Sequence, residues 1–328
     1  MKKLLLIFCF PILCFSQQSF NFIHDGINRE YIYYSPNNLP VNAPLVFVAH
    51  GFTGSAIGIM GYSGMNTIAD QNGFAVCYPK GTVDNWGNNF WNVGYDFHFG
   101  VTVDDVGFLE SLALYLQSTY QLSTTNTFIT GMSNGGEICY SLAFDGSNVF
   151  KAYAPVAGSV FPNGTVNNLF NPNTPSPFFI THGDNDNVTL YEGDLNDQFW
   201  GPYLGVDTLV DFWVNENSLT SVNIDTFPDL NNDGNITISK KYYSPLTNNE
   251  VWLYVHQNDH SWGDSDIIIE QEIWDFFSLY INNSSEVLEY NNNKKLVSIS
   301  NLFGQKINKS NNTFLLFLYD DGSVEKKL

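Results

Sequence analysis

Residues 131–136 read Gly-Met-Ser-Asn-Gly-Gly and fit the pattern G-x-S-x-G. A β-prone run at 127–130 precedes them, and a helix-like segment at 137–144 follows. Between a strand and a helix, this pattern holds a serine in a strained turn from which its hydroxyl can attack a carbonyl carbon. Gly131 and Gly135 supply the room that such a turn needs. The pattern therefore predicts Ser133 as a nucleophile, with the N–H of Asn134 at the helix start as an oxyanion donor.

A serine nucleophile needs a base, and the base needs an acid that orients it. In chains that carry this type of turn, the acid and then the base follow the serine. Three histidines follow the serine: His182, His256 and His260. His260 lies in a polar loop after the last predicted strand of the main region, and this position favours it as the base. Asp184 and Asp186 both follow an earlier strand, and position alone does not separate them as the acid.

A second oxyanion donor is expected in the loop that follows an early strand, at residues 50–54. Gly51 lets the backbone approach the reaction centre. The N–H of Phe52 is the predicted donor, and that of Thr53 is the alternative. His50 is interpreted as a structural residue rather than a catalytic one.

Four residues in or near polar loops are candidates for contacts with a flat or polymeric substrate: Thr53, Trp86, Trp91 and Trp262. Core packing accounts for the tryptophans equally well. The run 229–235 resembles the start of a calcium-binding loop, but Lys240 stands at the twelfth position, where a bidentate glutamate is needed. A β-hairpin is the favoured interpretation of this run. No metal or other cofactor is predicted.

The charge of the chain restricts its partners. Residues 17–283 contain five basic and 28 acidic side chains, so nucleic acid and anionic membrane surfaces are poor partners and no nucleic acid is expected. Residues 1–16 are predicted to be a secretory signal peptide, with Lys2 and Lys3 before an apolar stretch at 4–13. A membrane anchor and a lipoprotein are the alternatives for this segment, and no stable membrane insertion is expected. Cys77 and Cys139 are interpreted as buried free thiols, with a disulfide as the alternative.

Strand-like and helix-like segments alternate along the chain, which indicates an α/β fold with a mostly parallel sheet. The strand-like segments are 31–34, 45–49, 74–78, 127–130, 151–156, 177–181 and 251–255, and the helical ones lie around 68–70 and at 105–120, 137–144 and 266–281. Residues 17–283 are predicted to form the main domain, 284–293 a linker, and 294–328 a small β module. That module contains short strands at 296–299 and 314–319 and a turn at 320–322.

Several stretches resemble the secreted polyhydroxybutyrate depolymerase-like and feruloyl esterase family, carbohydrate esterase family one and its relatives. They read APLVFVAHGFTGSA, GFAVCYPKG, VDDVGFLESL, TGMSNGGEICYSLA, APVAGS, THGDNDNV and DHSWG. The resemblance implies an α/β-hydrolase fold and a serine esterase. Its substrates would be feruloyl or acetyl esters of plant polysaccharide, or a polyhydroxyalkanoate-type polyester. The family's H-G-x-x-D pattern places the acid at Asp186, and its G-H-x-W-P pattern places the base at His260. Asp259 and Gly263 depart from the second pattern.

The end of the chain, from KKLVSISNLFGQKI to TFLLFLYDDGSVEKKL, resembles the C-terminal sorting domain of the type IX secretion system of Bacteroidetes. This resemblance implies the type IX secretion machinery as a partner, an extracellular or cell-surface location, and removal of the tail. Two other functions compete with the esterase: a serine peptidase of the same fold, and a non-catalytic surface binding protein.

Overall fold

The computed structural model describes residues 19–162, 175–282, 296–301, 315–319 and 324–327. The predicted signal peptide at 1–16, the linker at 284–293 and the turn at 320–322 lie outside the described residues. The chain divides into two compact units, Met1–Asn282 and Asn283–Leu328.

The first unit is built on a ten-stranded sheet. In spatial order its strands are β1 (Ser19–His24), β2 (Ile27–Tyr34), β4 (Ala75–Pro79), β3 (Leu45–Ala49), β7 (Thr127–Met132), β8 (Tyr153–Val156), β9 (Phe178–Gly183), β12 (Val251–His256), β11 (Thr237–Tyr243) and β10 (Ser221–Thr226). From β4 through β12, neighbouring strands are parallel. The two outer strands at each edge are antiparallel. The predicted mostly parallel sheet is therefore confirmed, and loops from six parallel strands meet at one edge.

Helices cover both faces of this sheet. They are α1 (Ala56–Ser63), α2 (Met65–Asn72), α3 (Asp105–Tyr120), α4 (Asn134–Phe144), α5 (Val206–Glu216) and α6 (Ile269–Ser278). Alternate residues of β3 point to opposite faces, because side chains alternate along a strand. Phe47 packs in one core cluster with residues of α3, α4 and α5. Val46 and Val48 pack in the other with residues of α1, α2 and α6. The result is a three-layer α/β arrangement around a fully buried central strand.

The elements that the sequence pattern predicts agree with the structure except at their ends. The strand at 45–49 and the helix at 105–120 have the predicted bounds. The last helix is shorter than the predicted 266–281 at both ends. The run at 229–235 does connect two antiparallel strands, β10 and β11, as the hairpin interpretation requires. A further two-stranded hairpin, β5 (Thr82–Val83) with β6 (Asn89–Phe90), lies beside the loop at residues 50–54.

The second unit contains a three-stranded antiparallel sheet of β13 (Leu296–Asn301), β14 (Leu315–Tyr319) and β15 (Val324–Lys327). The first two strands overlap the two that the sequence predicts. Within the described parts of the chain, no helix is long and apolar enough to span a membrane.

Candidate active site

Ser133 occupies the sharp turn between β7 and α4. Its φ of 56° and ψ of −124° lie in a region of backbone conformation where residues other than glycine are strained. The surrounding backbone holds this conformation, because the Ser133 N–H donates to the Val156 oxygen at 2.8 Å and the Gly136 N–H donates to the Ser133 oxygen at 2.7 Å. A side chain at Gly135 would collide with the carbonyl oxygen of Ala49 in β3. The turn therefore fits only because glycine flanks the serine.

His260 and Asp186, on loops that follow β12 and β9, are paired by a short contact. Nδ1 of His260 lies 2.7 Å from Oδ2 of Asp186. Asp186 is 3% exposed, whereas Asp184 is exposed. The geometry therefore brings together His260 and Asp186, and it leaves Asp184 at the surface.

The carboxylate of Asp186 is held by four hydrogen bonds in all. Its Oδ1 accepts from the N–H groups of Val188 at 2.8 Å and Thr189 at 2.9 Å. Its Oδ2 also lies 3.3 Å from Nε2 of His182. Burial raises the pKa of Asp186, but the hydrogen bonds from His182 and His260 outweigh it and hold the pKa well below its usual range. Asp186 is therefore a fixed anion that can orient His260.

His182, one of the three histidines that follow the serine, has a supporting role that its sequence position does not predict. Its Nε2 lies 2.7 Å from the oxygen of Thr189 and 3.3 Å from the carboxylate of Asp186. Both neighbours are acceptors, so Nε2 carries the proton and donates. The side chain is fully buried, and it ties the loop of Asp186 back to the end of β9.

The loop of His260 is pressed against the end of β9. A side chain at Gly183 would collide with the carbonyl oxygens of Asn258 and Asp259. On the other side, the N–H of Trp262 donates to Oη of Tyr62 in α1 at 3.1 Å. The imidazole of His260 is therefore positioned by two separate elements. Among the hydrogen bonds of the described residues, none joins Ser133 to His260, and in free enzymes such bonds often tighten only when substrate arrives.

The loop at residues 50–54 runs directly beside the serine. A Cβ at Gly51 would lie 3.3 Å from Cβ of Ser133. The N–H of Thr53 is already used, because it donates to the oxygen of Asn89 at 2.8 Å. No hydrogen bond from the N–H of Phe52 or of Asn134 occurs among the described residues. Of the two donors that the sequence left open, the geometry therefore favours Phe52.

His50 holds this loop in place. Its Nε2 accepts from the N–H of Gly81 at 3.0 Å, so Nδ1 carries the proton and donates to the oxygen of Gly51 at 2.8 Å. Burial lowers the pKa of His50 to about 4. His50 is thus neutral over the physiological range, which agrees with its interpretation as a structural residue.

A buried polar network that the sequence reasoning missed lies behind the serine. Oε2 of Glu137 accepts from Oη of Tyr95 at 2.6 Å and from Nδ2 of Asn134 at 3.3 Å. The Asn134 amide also holds the backbone of Trp91, accepting from its N–H at 2.6 Å and donating to its oxygen at 3.0 Å. Desolvation by burial raises the pKa of Glu137 to about 7. The network fixes the first turn of α4, where the backbone N–H groups have no partner within the helix.

The structure corrects two of the four predicted substrate contacts. Trp91 is 0% exposed, and its indole N–H donates to the oxygen of His50 at 2.9 Å. Trp262 is 7% exposed and packs in the core against Tyr62. Both tryptophans therefore support the site from inside. Trp86, at 64%, and Thr53 are exposed.

Two groups of described residues could bring three ligand atoms within 4.8 Å of one another: His24 with Asp25 and Asp104, and Asp229 with Asp233 and Asp266. The second group includes two residues of the run that resembles a calcium-binding loop. Lys240, at the twelfth position of that run, lies in strand β11.

The architecture is that of the α/β-hydrolases, with the serine on a strand–turn–helix and the acid and base on loops that follow later parallel strands. A solved acetyl xylan esterase from Aspergillus awamori is similar to this chain with a TM-score of 0.57 and 16% sequence identity. The similarity covers 80% of this chain and 98% of that structure. It establishes the shared fold.

Sequence comparison finds similarity to esterases. Residues 30–168 match the family model described as Esterase PHB depolymerase. The bifunctional acetylxylan esterase/xylanase XynS20E of Neocallimastix patriciarum is 30% identical over 183 residues, which are 54% of this chain and 25% of that protein. The probable feruloyl esterase C of Aspergillus niger is 26% identical over 191 residues, which are 55% of this chain and 64% of that protein. The matched part of this chain thus spans less than two thirds of the length of either relative.

Proposed function

We propose that this protein is a serine esterase that hydrolyses carboxylic esters through an acyl-enzyme. The observation that carries the proposal is Ser133, held at a φ of 56° between β7 and α4. Such strained geometry persists only where the surrounding structure imposes it, and it exposes the hydroxyl above the helix N-terminus. The esterase names of the matched proteins support ester hydrolysis as the reaction.

In the proposed mechanism, His260 takes the proton of Ser133 as the hydroxyl attacks the ester carbonyl. Asp186 accepts the Nδ1–H of His260 and stabilises the imidazolium that forms. The N–H groups of Phe52 and Asn134 bind the oxyanion, each contributing on the order of 3 kcal/mol to the transition state. His260 then gives its proton to the leaving alcohol. A water molecule, deprotonated by His260, releases the acid and restores the serine.

The proposed substrates are feruloyl or acetyl esters of plant polysaccharide, with a polyhydroxyalkanoate-type polyester as the second candidate. The names of the acetylxylan and feruloyl esterase relatives favour the polysaccharide esters. A poly(3-hydroxyalkanoate) depolymerase of Paucimonas lemoignei, 23% identical over 193 residues, supports the polyester as the alternative. A peptidase of the same fold and a non-catalytic binding protein are the competing functions that the experiment below separates.

Secretion belongs to the same proposal. The predicted signal peptide at 1–16 and the type IX sorting tail at 294–328 would deliver the enzyme to the cell exterior, where polymeric substrates are found. Both segments are identified by their sequence.

The experiment that tests the proposal compares the parent protein with Ser133→Ala on p-nitrophenyl acetate, methyl ferulate, acetylated xylan and a peptide panel. The parent is expected to turn over esters, and the variant should lose about a millionfold in kcat because the nucleophile is gone. Ser118→Ala, on the exposed side of α3, serves as the matched control. Circular dichroism should show all three proteins folded. Ester turnover by Ser133→Ala, or cleavage of peptides in preference to esters by the parent, would refute the proposal.

A further inference from the structure

Five aromatic side chains form a continuous surface strip that starts at the oxyanion loop. The strip consists of Phe52, Trp86, Phe97, Phe199 and Trp200. Phe97 is its centre, with ring centroids 5.8 Å from Phe52, 5.9 Å from Trp86 and 5.2 Å from Phe199. Trp200 closes the strip, 5.8 Å from Phe52 and 4.7 Å from Phe199. The rings come from four separate segments of the chain, at residues 52, 86, 97 and 199–200, so only the fold brings them together.

The strip presents large apolar faces to solvent. Trp86 is 64% exposed and Phe199 is 62% exposed, while the other three rings are partly exposed. Single exposed apolar residues are ordinary on protein surfaces, but a contiguous patch marks an interaction site. Phe52, whose N–H is the proposed oxyanion donor, is the end of the strip next to Gly51, and a Cβ at Gly51 would lie 3.3 Å from Cβ of Ser133.

The loop of Trp86 is pre-organised rather than loose. Oδ1 of Asp84 accepts from the N–H of Trp86 at 2.9 Å and from the N–H of Asn88 at 2.8 Å. The buried side chain of His98 lies 3.3 Å from Oδ2 of Asp84, and its ring stacks on Trp86 with centroids 6.3 Å apart. A ring held in this way loses little conformational entropy when a ligand stacks on it.

A cleft of about 540 Å³ adjoins the strip and shares Trp86 and Phe97 with it. Its lining also includes exposed or half-buried polar side chains: Asn28, Glu30, Lys80 and Asn85. This volume is within the usual range for a ligand site, about 300–1,000 Å³. The cleft therefore combines aromatic faces with hydrogen-bond donors and acceptors.

We propose that the strip and this cleft bind the uncharged polysaccharide chain that carries the ester, an inference that rests on the esterase function proposed above. A pyranose ring offers C–H groups to an aromatic face, whose negative quadrupole attracts them, and offers hydroxyls to polar neighbours. A polyester offers carbonyl acceptors but no donors, so it could not pair with an acceptor-only group of the cleft such as the carboxylate of Glu30, whereas a sugar hydroxyl could. The net charge of −20 disfavours acidic polymers.

The test uses Trp86→Ala and Phe199→Ala in the full chain, with Tyr115→Ala as the control. Tyr115 is an aromatic residue of α3 with 44% exposure that contacts Phe22 and is not part of the strip. The quantity measured is the ratio of kcat/KM on acetylated xylan to kcat/KM on p-nitrophenyl acetate. Each strip variant is expected to lower this ratio about tenfold, and the control is expected to leave it unchanged.

A second measurement does not depend on turnover. Ser133→Ala is run in native gels that contain deacetylated xylan, where the strip predicts retardation that Trp86→Ala in the same background abolishes. The proposal is overturned if the strip variants leave both this ratio and the gel mobility unchanged. It is also overturned if they lower the activity on poly(3-hydroxybutyrate), relative to p-nitrophenyl acetate, but not the activity on acetylated xylan. If the parent hydrolyses no ester, the proposed function fails, and the gel alone still decides whether the strip binds polysaccharide.

Discussion

Asp184 and Asp186 are two residues apart and of the same type, yet burial gives them different roles. Asp186 is enclosed and accepts hydrogen bonds from two histidines and two backbone amides, whereas Asp184 faces solvent. A carboxylate in a desolvated, fully bonded site interacts with an imidazolium far more strongly than one in water does. Of the two carboxylates, Asp186 is the one that contacts His260.

This difference leads to a prediction at the residue scale. Asp186→Asn should lower kcat by about 10,000-fold, because the amide cannot hold the required tautomer of His260. Asp184→Asn, the matched control, should keep the parent's kcat. Both variants are measured with p-nitrophenyl acetate. A larger loss for Asp184→Asn would transfer the role of the acid to that residue.

Glu137 makes the stability of the protein depend on pH. Burial raises its pKa from 4.5 to about 7, so between these values the folded state binds a proton that the unfolded state has released. Stability contributed by this group is present at low pH and falls as pH rises from 4.5 to about 7, by at most about 1.4 kcal/mol for each pH unit.

Glu137→Gln should remove this dependence. The Gln oxygen can accept from Tyr95 and Asn134, as Oε2 does now, and it does not ionise. The stability of the variant relative to the parent should therefore rise between pH 4.5 and 7 and stay constant above that. Urea unfolding at a series of pH values measures the difference. A difference that does not change with pH would mean that Glu137 ionises normally in the folded protein.

At the residue scale, pattern and position predict Ser133 and His260 because both belong to short motifs. To choose between Asp184 and Asp186, one must know which side chain is buried, and the spacing of residues in the sequence does not encode this. From the sequence, the choice therefore depends on the resemblance to a known family. The misassignment of Trp91 has the same origin. Its polar, glycine- and asparagine-rich neighbours indicate a loop, but its own indole points into the core.

At the scale of elements, the turn between β7 and α4 depends on the missing side chain of Gly135. A methyl group there would collide with the backbone of Ala49 in β3, and backbone cannot move aside as a side chain can. Gly61 in α1 is a helical glycine with nothing within 4 Å of its added Cβ. The two glycines are a matched pair.

Gly135→Ala is expected to destabilise the fold by about 1–3 kcal/mol or more and to lower kcat, because the turn that presents Ser133 must shift. Gly61→Ala should instead stabilise the protein by up to about 1 kcal/mol, since alanine favours a helix. Thermal unfolding with an activity assay gives both values. Equal behaviour of the two variants would show that the turn tolerates a side chain.

The elements that the sequence predicts well are those that are buried on both sides, such as β3, because a short and continuous apolar run is typical of a strand covered on both faces. The strands at the edges of the sheet were harder to predict. Strand β10 is largely exposed and contains few apolar residues, so its hydrogen bonds to β11, rather than burial, define it as a strand. Helix α5 was not predicted, although it buries Leu209, Val210 and Trp213 against the sheet.

At the scale of the whole molecule, the six parallel strands bring Ser133, Asp186, His260 and the loop at residues 50–54 to one edge from positions more than 200 residues apart. The order of the connections is the reason, since each of these segments follows the carboxyl end of a parallel strand. The order of strands in the sheet could not be read from the sequence, because short apolar runs carry no information about their neighbours.

Cys77 in β4 and Cys139 in α4 are both free and buried, and burial raises the pKa of each thiol well above its usual range. Thiolate, the form that oxidants and alkylating agents attack, is therefore scarce at both positions. The part of the chain that the structure describes therefore contains no disulfide whose formation would need a thiol oxidase or a disulfide isomerase. In the folded protein, both thiols should resist oxidation by air and alkylation.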